Sequence, residues 1–160
     1  MIRLEVVKEV LQDIADIHSH VIRGNVFEDV VKWVLTTAPE FRDEFKTGWL
    51  WKDYPGAGTR ELGIDLVAET KDGEHVAIQA KCWKPFEMLT WRNMSTFYGD
   101  AMGRDKITRL MLVTSTDDIS TNATKKLAGS KKPCQIIRRS DLLALDITSR
   151  DGLEGFGEVK

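Results

Sequence analysis

The spacing of hydrophobic residues in the first forty positions predicts two helices. Two sets recur at intervals of three and four residues: Leu4, Val7, Val10, Leu11 and Ile14, and then, after Gly24, Phe27, Val30, Val31 and Val34. Each set forms one apolar stripe along a helix, and such a stripe packs against a core. We therefore expect an N-terminal helix within residues 1–23 and a second helix after Gly24.

The pattern then changes to the period of two that is typical of strands. The segment "TGWLWKDYPGAGTREL" predicts a short strand and then a glycine-punctuated loop, and "GIDLVAETKDGEHVAIQAK" predicts two strands around a tight turn. The turn is Lys71-Asp72-Gly73, in which Gly73 can adopt the left-handed conformation of a type I turn with a bulge. This segment therefore reads as an antiparallel hairpin.

The register of the hairpin follows from its apolar residues. Ile64, Leu66 and Ala68 alternate along the first strand, and Val76, Ile78, Ala80 and Cys82 alternate along the second. A three-residue turn that sets Thr70 opposite Glu74 brings both sets to one face. Asp65 is then opposite Gln79, and Lys81 lies two residues along on the same face. We therefore expect a carboxylate, an amide and an ammonium group to converge.

Helices and strands alternate in the rest of the chain. One helix carries the stripe Met94, Phe97, Tyr98, Ala101 and Met102, and the apolar run "RLMLVTST" predicts a strand covered on both faces. Ser120 is expected to cap the helix "TNATKKLA", "CQIIRR" predicts a short strand, and Ser140 is expected to cap the helix "DLLALD". The order α, α, β, β, β, α, β, α, β, α predicts an α/β fold with a mixed central sheet flanked by helices.

Composition limits the class of protein. The 160 residues, 42% of them hydrophobic, suit one globular domain. We expect a cytoplasmic protein, because no apolar run has membrane-spanning length and the N-terminus is charged rather than apolar. Cys82 and Cys134 are expected to pack as small hydrophobic side chains. The formal net charge of −2 restricts contacts with nucleic acid to local patches.

The three converging side chains suit metal-assisted cleavage of a phosphodiester bond. Mg²⁺ prefers oxygen ligands and keeps several waters, so one or two carboxylates and a substrate phosphate complete its shell. Asp65 can supply one carboxylate. Lys81 can orient a metal-bound water or stabilise the charge that grows on the phosphate. A hairpin with an ordinary solvated polar face would show the same alternation, so the hairpin alone leaves both interpretations open.

"GIDL" followed at hairpin distance by "IQAK" resembles the PD-(D/E)xK nuclease superfamily, in the Mrr-like branch that has QxK in its second half. Gln79 stands where the superfamily more often has a carboxylate. The resemblance implies that a glutamate in a GxxFE stretch compensates, and "GNVFE" places Glu28 there. It thus implies Asp65, Gln79, Lys81 and Glu28 as catalytic residues, and Asp65, Glu28, Gln79 and the main-chain carbonyl of Ala80 as ligands of Mg²⁺, for which Mn²⁺ can substitute.

The wider pattern resembles the N-terminal nuclease domain of type ISP restriction enzymes and their helicase-fused relatives. "WKDYP", the helix after the hairpin, "RLMLVTST" and the closing "SDL" carry this likeness. It implies a single restriction-endonuclease-like domain over 1–160, with an N-terminal helix at 1–23, a nuclease core at 24–146 and a C-terminal tail at 147–160. It also implies a longer restriction enzyme in which a linked helicase or translocase and a target-recognition domain deliver the DNA.

The expected function is therefore metal-dependent endonucleolytic hydrolysis of double-stranded DNA in a restriction-modification system. Two alternatives stay open: a catalytically silent DNA-binding or interaction domain on the same fold, and a structure-selective nuclease that resolves junctions. The glycine-rich stretch "GAGTRELG" is expected to be a mobile loop that faces DNA. Three basic pairs, Lys125–Lys126, Lys131–Lys132 and Arg138–Arg139, are either solvated surface charge or contacts to the phosphate backbone.

Overall fold

The computed structural model describes residues 6–57, 63–84 and 87–153. The helices are α1 (Val6–Ala15), α2 (His20–Thr37), α3 (Pro39–Arg42), α4 (Trp91–Met102), α5 (Thr121–Ala128) and α6 (Arg139–Leu143). The strands are β1 (Phe45–Leu50), β2 (Leu66–Thr70), β3 (His75–Lys81), β4 (Ile107–Thr114) and β5 (Cys134–Ile137), and a 3-10 turn covers Trp51–Asp53. The expected order of helices and strands is confirmed, with the short α3 and the 3-10 turn added to it.

The five strands form one mixed sheet in the order β1-β2-β3-β4-β5. β2 is antiparallel to both β1 and β3, whereas β3, β4 and β5 run parallel to one another. The ends of β1, β3, β4 and β5 and the beginning of β2 therefore meet at one edge of the sheet, which we call the carboxyl edge. Ligands of open α/β sheets commonly bind beyond this kind of edge.

Helices cover both faces of the sheet, as expected for the α/β fold. On one face α1 and α2 bury their apolar stripes against the even-numbered hairpin residues, including Leu66 and Ile78. On the other face, Phe97 of α4 packs with Val67 and Ala77 of the hairpin. The odd-numbered face of the hairpin is therefore largely covered as well, and the polar residues on that face do not form an ordinary solvated surface.

The β2–β3 turn has the expected geometry. Thr70 N–H donates to the Glu74 carbonyl at 2.8 Å, and Gly73 N–H donates to the Thr70 carbonyl at 3.0 Å. Gly73 has a φ of +87°, the left-handed conformation that glycine adopts without steric cost. Leu66 pairs with Ile78, so the register continues to Asp65 opposite Gln79.

The boundary between the first two helices differs from the one expected, whereas the start of α5 agrees. The break between α1 and α2 lies at residues 16–19 rather than at Gly24, because the Ser19 hydroxyl caps α2 by accepting from Ile22 N–H at 3.2 Å. Gly24 lies inside α2. Ser120 caps α5 as expected, through a 3.1 Å bond from Ala123 N–H.

The expected cap of α6 is wrong. Ser140 lies within α6, and its N–H donates to the Asp117 carboxylate at 2.8 Å. The carboxylate of Asp141 instead accepts from Arg138 N–H at 2.8 Å. Asp141, the third residue of α6, thus binds the backbone of the residue that precedes the helix.

Two aromatic residues and the two cysteines of the described chain are buried or half-buried. Trp51 and Tyr54 are buried and pack on the α4 side of the sheet. Cys82 and Cys134 are free thiols, and burial raises the pKa of both, that of Cys134 to about 11, so neither is a reactive thiolate at neutral pH. None of the helices in the described ranges is long and apolar enough to span a membrane.

Two glycines with positive φ give a direct test of the hairpin and its approach segment. A Cβ at Gly73 would meet nothing within 4 Å, whereas a Cβ at Gly63, where φ is +99°, would lie 3.1 Å from Phe97 N. We expect Gly73→Ala to lower the free energy of unfolding by about 1–2 kcal/mol through the left-handed conformation alone. Gly63→Ala should cost more, because the Phe97 main chain cannot easily move. Urea unfolding measures both.

The control is Gly99→Ala, at a position in α4 where an added Cβ also meets nothing within 4 Å. Alanine is the better helix former, so this variant should be as stable as the unsubstituted chain or more so. An equal loss in Gly63→Ala and Gly73→Ala would show that the close packing of Gly63 against α4 contributes nothing.

Candidate active site

Asp65 is anchored at the carboxyl edge on three sides. Its N–H donates to the Ile78 carbonyl at 3.0 Å, and its carbonyl accepts from Trp51 N–H at 2.9 Å. Its Oδ2 accepts from Ala80 N–H at 2.9 Å. These bonds tie Asp65 to β3 and to the end of β1, so the half-buried carboxylate has a defined position where β2 begins.

Gln79 supplies a polar atom that the described protein groups leave unsatisfied. The side chain is buried, with 4% of its surface exposed, and its Nε2 donates to the Gly63 carbonyl over a long 3.4 Å. Its Oε1 is also buried and has no hydrogen-bond partner in the described part of the chain. A buried acceptor without a partner costs about 1–3 kcal/mol, so this oxygen is suited to a ligand that the protein alone does not provide.

Lys81 is the last residue of β3 and lies on the same face as Asp65 and Gln79, since side chains alternate along a strand. It is half-buried, and its carbonyl accepts from Ser115 N–H at 3.2 Å. The Ser115 hydroxyl also accepts from Trp83 N–H at 2.7 Å and donates to the Trp83 carbonyl at 2.5 Å. The backbone on both sides of Cys82 is thus bound to the end of β4.

Glu28 approaches from a different direction. It is half-buried on α2, the helix that packs on the even-numbered face of the sheet, whereas Asp65, Gln79 and Lys81 lie on the odd-numbered face. The structure therefore brings Asp65, Gln79 and the Ala80 main chain together, and it places Glu28 in the layer on the other side of the sheet.

The first turn of α2 nevertheless lies near the end of β3. Burial raises the pKa of the Cys82 thiol, and a hydrogen bond with Ser115 and the charges of Arg23 and Arg139 oppose this rise. Ile22, also in the first turn of α2, packs against the same hydrophobic cluster as Cys82, which follows Lys81, so the amino-terminal part of α2 is near the carboxyl edge. Glu28 is less than two turns further along the same helix.

The end of β4 carries a polar cluster that was not predicted from the sequence. Thr114, Ser115 and Thr116 are all buried. The Thr114 hydroxyl accepts from Thr116 N–H at 3.3 Å, the Ser115 hydroxyl donates to the Trp83 carbonyl, and the Thr116 hydroxyl donates to the Glu87 carbonyl at 3.0 Å. Arg139 joins them: its N–H donates to the Thr116 carbonyl and its Nη1 to the Ser115 carbonyl, both at 3.4 Å. The polar run "TSTDD" follows directly on an apolar strand in the sequence. It could have predicted this cluster, because polar residues at the end of a parallel strand lie at the carboxyl edge of the sheet.

The donor set at this edge suits a hard divalent cation. No three histidine, cysteine, aspartate or glutamate side chains within residues 6–57, 63–84 and 87–153 are grouped so that they could hold a metal ion. The expected set, however, contains only two carboxylates and is completed by the Gln79 amide and the Ala80 carbonyl. All four groups offer oxygen, the ligand that Mg²⁺ prefers, and the unpartnered Oε1 of Gln79 is the atom that fits this interpretation.

Two lysines of the basic pairs make different contacts within the protein. The Lys132 ammonium group donates to the carbonyls of Ala101 and Arg104 at 2.9 and 2.8 Å, and so it caps α4 rather than meeting solvent freely. Lys126 lies 5.1 Å from the ring centroid of Trp91. The expected DNA-facing loop, "GAGTRELG", lies largely outside the described residues, since 58–62 are among those not described.

Solved structures of restriction enzymes share this fold. The chain is similar to the ATP-dependent type ISP restriction-modification enzyme LlaBIII bound to DNA, with 23% identity, a TM-score of 0.69, and coverage of 90% of this chain and 9% of that one. It is also similar to the restriction endonuclease MspJI in complex with a 27-mer oligonucleotide, with 18% identity, a TM-score of 0.54, and coverage of 87% and 30%.

A third similar structure is the DNA modification-dependent restriction endonuclease AspBHI, with 15% identity, a TM-score of 0.57, and coverage of 89% of this chain and 37% of that one. The chain thus spans less than two fifths of the length of each of these three enzymes. At these identities the likeness shows the fold, and no protein of curated function matches the sequence.

The sequence itself matches a family model. Residues 36–150 match Mrr_cat_2, described as a restriction endonuclease. Asp65, Gln79 and Lys81 fall inside the matched region, and Glu28 precedes it. The match covers more than half of the chain, and the three solved structures share its mixed sheet flanked by helices. The chain therefore belongs to the Mrr-type restriction endonuclease family.

Proposed function

We propose that the chain is a metal-dependent endonuclease that hydrolyses phosphodiester bonds of double-stranded DNA, as the nuclease module of a restriction system. The observation that carries the proposal is the buried, unpartnered Oε1 of Gln79, which lies opposite the anchored Asp65 at the carboxyl edge. A purely structural role would leave this acceptor with an uncompensated desolvation cost. A bound cation removes that cost.

In this proposal Asp65, Gln79, the Ala80 carbonyl and Glu28 hold Mg²⁺, with Mn²⁺ as a substitute. When bound, the metal acts as a Lewis acid on the scissile phosphate and acidifies a water. Lys81 orients the attacking water or stabilises the charge on the phosphate oxygens. Its bond to Ser115 holds the end of β3 in place, so that the ammonium group is directed from a rigid strand rather than from a loop.

DNA is the proposed substrate because all three similar structures are restriction enzymes, one described as bound to DNA and another as complexed with an oligonucleotide. The chain corresponds to only 9% of LlaBIII, an ATP-dependent enzyme. By analogy, a linked translocase and a target-recognition domain would select the site and raise the effective concentration of DNA at this module. Weak binding of plain duplex by the module alone agrees with its net charge of −2.

A catalytically silent domain on the same fold is the second candidate. The observation that favours it is the neutral Gln79 at a position where a nuclease gains from a second carboxylate, together with Glu28 approaching from the other layer of the sheet. The two candidates differ in one respect that can be measured, namely whether divalent metal and Lys81 are required for DNA cleavage.

Lys81→Ala separates chemistry from folding. We expect it to abolish cleavage of plasmid DNA in the presence of Mg²⁺ or Mn²⁺ and to leave the thermal midpoint nearly unchanged, because the side chain is half-exposed and lies outside the apolar core. Gel assays of plasmid and of branched DNA at high enzyme concentration, with and without metal, measure the activity. Preference for branched DNA would indicate a junction-resolving nuclease.

The matched control is Lys84→Ala, which removes the same charge from an exposed position three residues along the chain. It should retain most of the activity. Cleavage by Lys81→Ala at the rate of the unsubstituted chain would remove Lys81 from the mechanism. No metal-dependent cleavage of either DNA by the unsubstituted chain would favour the silent domain.

Asp65→Asn and Glu28→Gln each remove one anionic ligand, so we expect both to weaken the binding of Mg²⁺ and Mn²⁺. Asp65→Asn should be the more damaging, because three hydrogen bonds hold that residue at the edge of the sheet. Isothermal titration calorimetry measures the affinities. Unchanged affinity in Glu28→Gln would exclude Glu28 from the site while leaving Asp65 and Gln79 in place.

Gln79→Glu tests the unpartnered oxygen directly. Without metal, the variant places a carboxylate in a buried position near that of Asp65, and its thermal midpoint should fall. Saturating Mn²⁺ should raise the midpoint of this variant more than that of the unsubstituted chain, because the cation then binds one more anionic ligand. Differential scanning fluorimetry with a metal titration gives both values.

Gln135→Glu is the control, since Gln135 is exposed on β5 and has no expected contact with metal. Its midpoint should respond to Mn²⁺ as the unsubstituted chain does. If Gln79→Glu is destabilised and metal restores nothing beyond the control, the buried oxygen is not a metal ligand.

A further inference from the structure

Five of the described arginines form two groups that differ in the partners of their guanidinium groups. Arg104, Arg109 and Arg150 each bind a carboxylate, at 3.0, 2.8 and 2.6 Å respectively. Their charge is largely neutralised by these ion pairs. Such arginines stabilise the fold and retain little attraction for an external anion.

Arg23 and Arg139 form the second group, because their guanidinium groups bind only main-chain carbonyls. Arg23 Nη1 donates to the Ile17 carbonyl at 3.0 Å, and Arg139 Nη1 donates to the Ser115 carbonyl at 3.4 Å. Neither forms an ion pair with a carboxylate among the described residues. Both side chains are half-buried, so each retains a full positive charge in a partly desolvated position.

The guanidinium groups of Arg23 and Arg139 lie near the end of β3. The carbonyl that Arg139 binds belongs to Ser115, whose N–H donates to the Lys81 carbonyl. Arg23 lies in the first turn of α2, next to Ile22. Ile22 packs against the same hydrophobic cluster as Cys82, the residue after Lys81, and this cluster also contains Leu142 of α6, the helix that begins with Arg139. Two separate elements thus bring uncompensated positive charge to one position on the carboxyl edge.

We propose that Arg23 and Arg139 together bind a backbone phosphate of the DNA strand, next to the phosphate that is cleaved. The ligand class rests on the proposed nuclease function, and the site itself rests on the two arginines. A guanidinium group has five N–H donors, and the one carbonyl bond on each leaves further donors for the oxygens of a phosphodiester. The carbonyl bonds hold both side chains in place before the substrate arrives.

The site also explains how an acidic chain could hold DNA in register. The net charge is −2, so general attraction to a polyanion is small. A phosphate held beside Lys81 fixes the position of the next phosphate along the strand relative to Asp65 and Gln79. The two arginines are therefore positioning residues for the substrate and not part of the bond-breaking step.

The experiment is fluorescence anisotropy of a labelled duplex with the whole chain at a series of salt concentrations, in the presence of EDTA. Arg23→Gln and Arg139→Gln should each weaken binding several-fold at low salt. Each should also reduce the slope of log K against log salt by about 1, because one phosphate contact fewer releases one counterion fewer. Arg139→Lys keeps the charge and should keep the slope, with some loss of affinity.

The matched control is Arg42→Gln, which makes the same change of charge at an exposed residue of α3, before β1 and so at the opposite edge of the sheet. Its slope should equal that of the unsubstituted chain. Slopes for Arg23→Gln and Arg139→Gln no lower than the control's would overturn the proposal, and so would undetectable binding by the unsubstituted chain at low salt. If Arg139→Gln does not fold, Arg23→Gln and Arg139→Lys still decide the outcome.

EDTA removes cleavage from the measurement, so the two proposals fail in different ways. Unchanged slopes together with metal-dependent cleavage that requires Lys81 would refute the phosphate site alone. Reduced slopes without any cleavage would support the phosphate site on a domain that is catalytically silent.

Discussion

The register of the β2–β3 hairpin is the constraint on which the candidate site depends. The side chains of a strand change face at every residue, so a slip of one residue would move Asp65 to the face of the main core. The turn at Lys71-Asp72-Gly73 sets the register at one end of the hairpin. At the other end, the same register allows Ala80 N–H to donate to the Asp65 carboxylate. Folding of the hairpin therefore also places the Asp65 carboxylate opposite Gln79.

The mixed sheet determines which strand ends lie next to Asp65 and Gln79 of the hairpin. Parallel pairing of β3, β4 and β5 brings their ends to one edge, and the antiparallel pairing of β2 brings Asp65 to the same edge from the opposite chain direction. Helices cover both faces, so the edge is the place where polar groups of the sheet can reach a ligand. The partial burial that results strengthens electrostatic interactions, because the surrounding medium has a lower effective dielectric constant than water. For the same reason, a buried acceptor without a hydrogen-bond partner, such as Gln79 Oε1, costs desolvation free energy.

The parts of this arrangement that could be predicted from sequence are those encoded by local patterns. The turn at Gly73, the stripe of α4 and the doubly covered β4 each follow from a period or a turn residue, and all three are confirmed. The start of α2 differs from the one expected at Gly24, because the Ser19 cap decides the boundary and a glycine does not break a helix that packs on the sheet. The role of Ser115 could not be read from its neighbours in sequence, since its hydroxyl binds Trp83, 32 residues away. Such bonds depend on which strands pair, and a one-dimensional pattern does not contain that information.

Charge distribution connects the fold with the way such a module would be used. Arg109 bridges Glu44 and Glu74 near the edge of the sheet opposite to the candidate site, and there its charge serves the fold. At the carboxyl edge Arg23 and Arg139 are held by carbonyls, which orient a cation without neutralising it. A carbonyl carries no net charge, so this choice of partner preserves the electrostatic field that an incoming phosphate meets. A chain with a net charge of −2 can in this way concentrate its attraction for a polyanion at one edge.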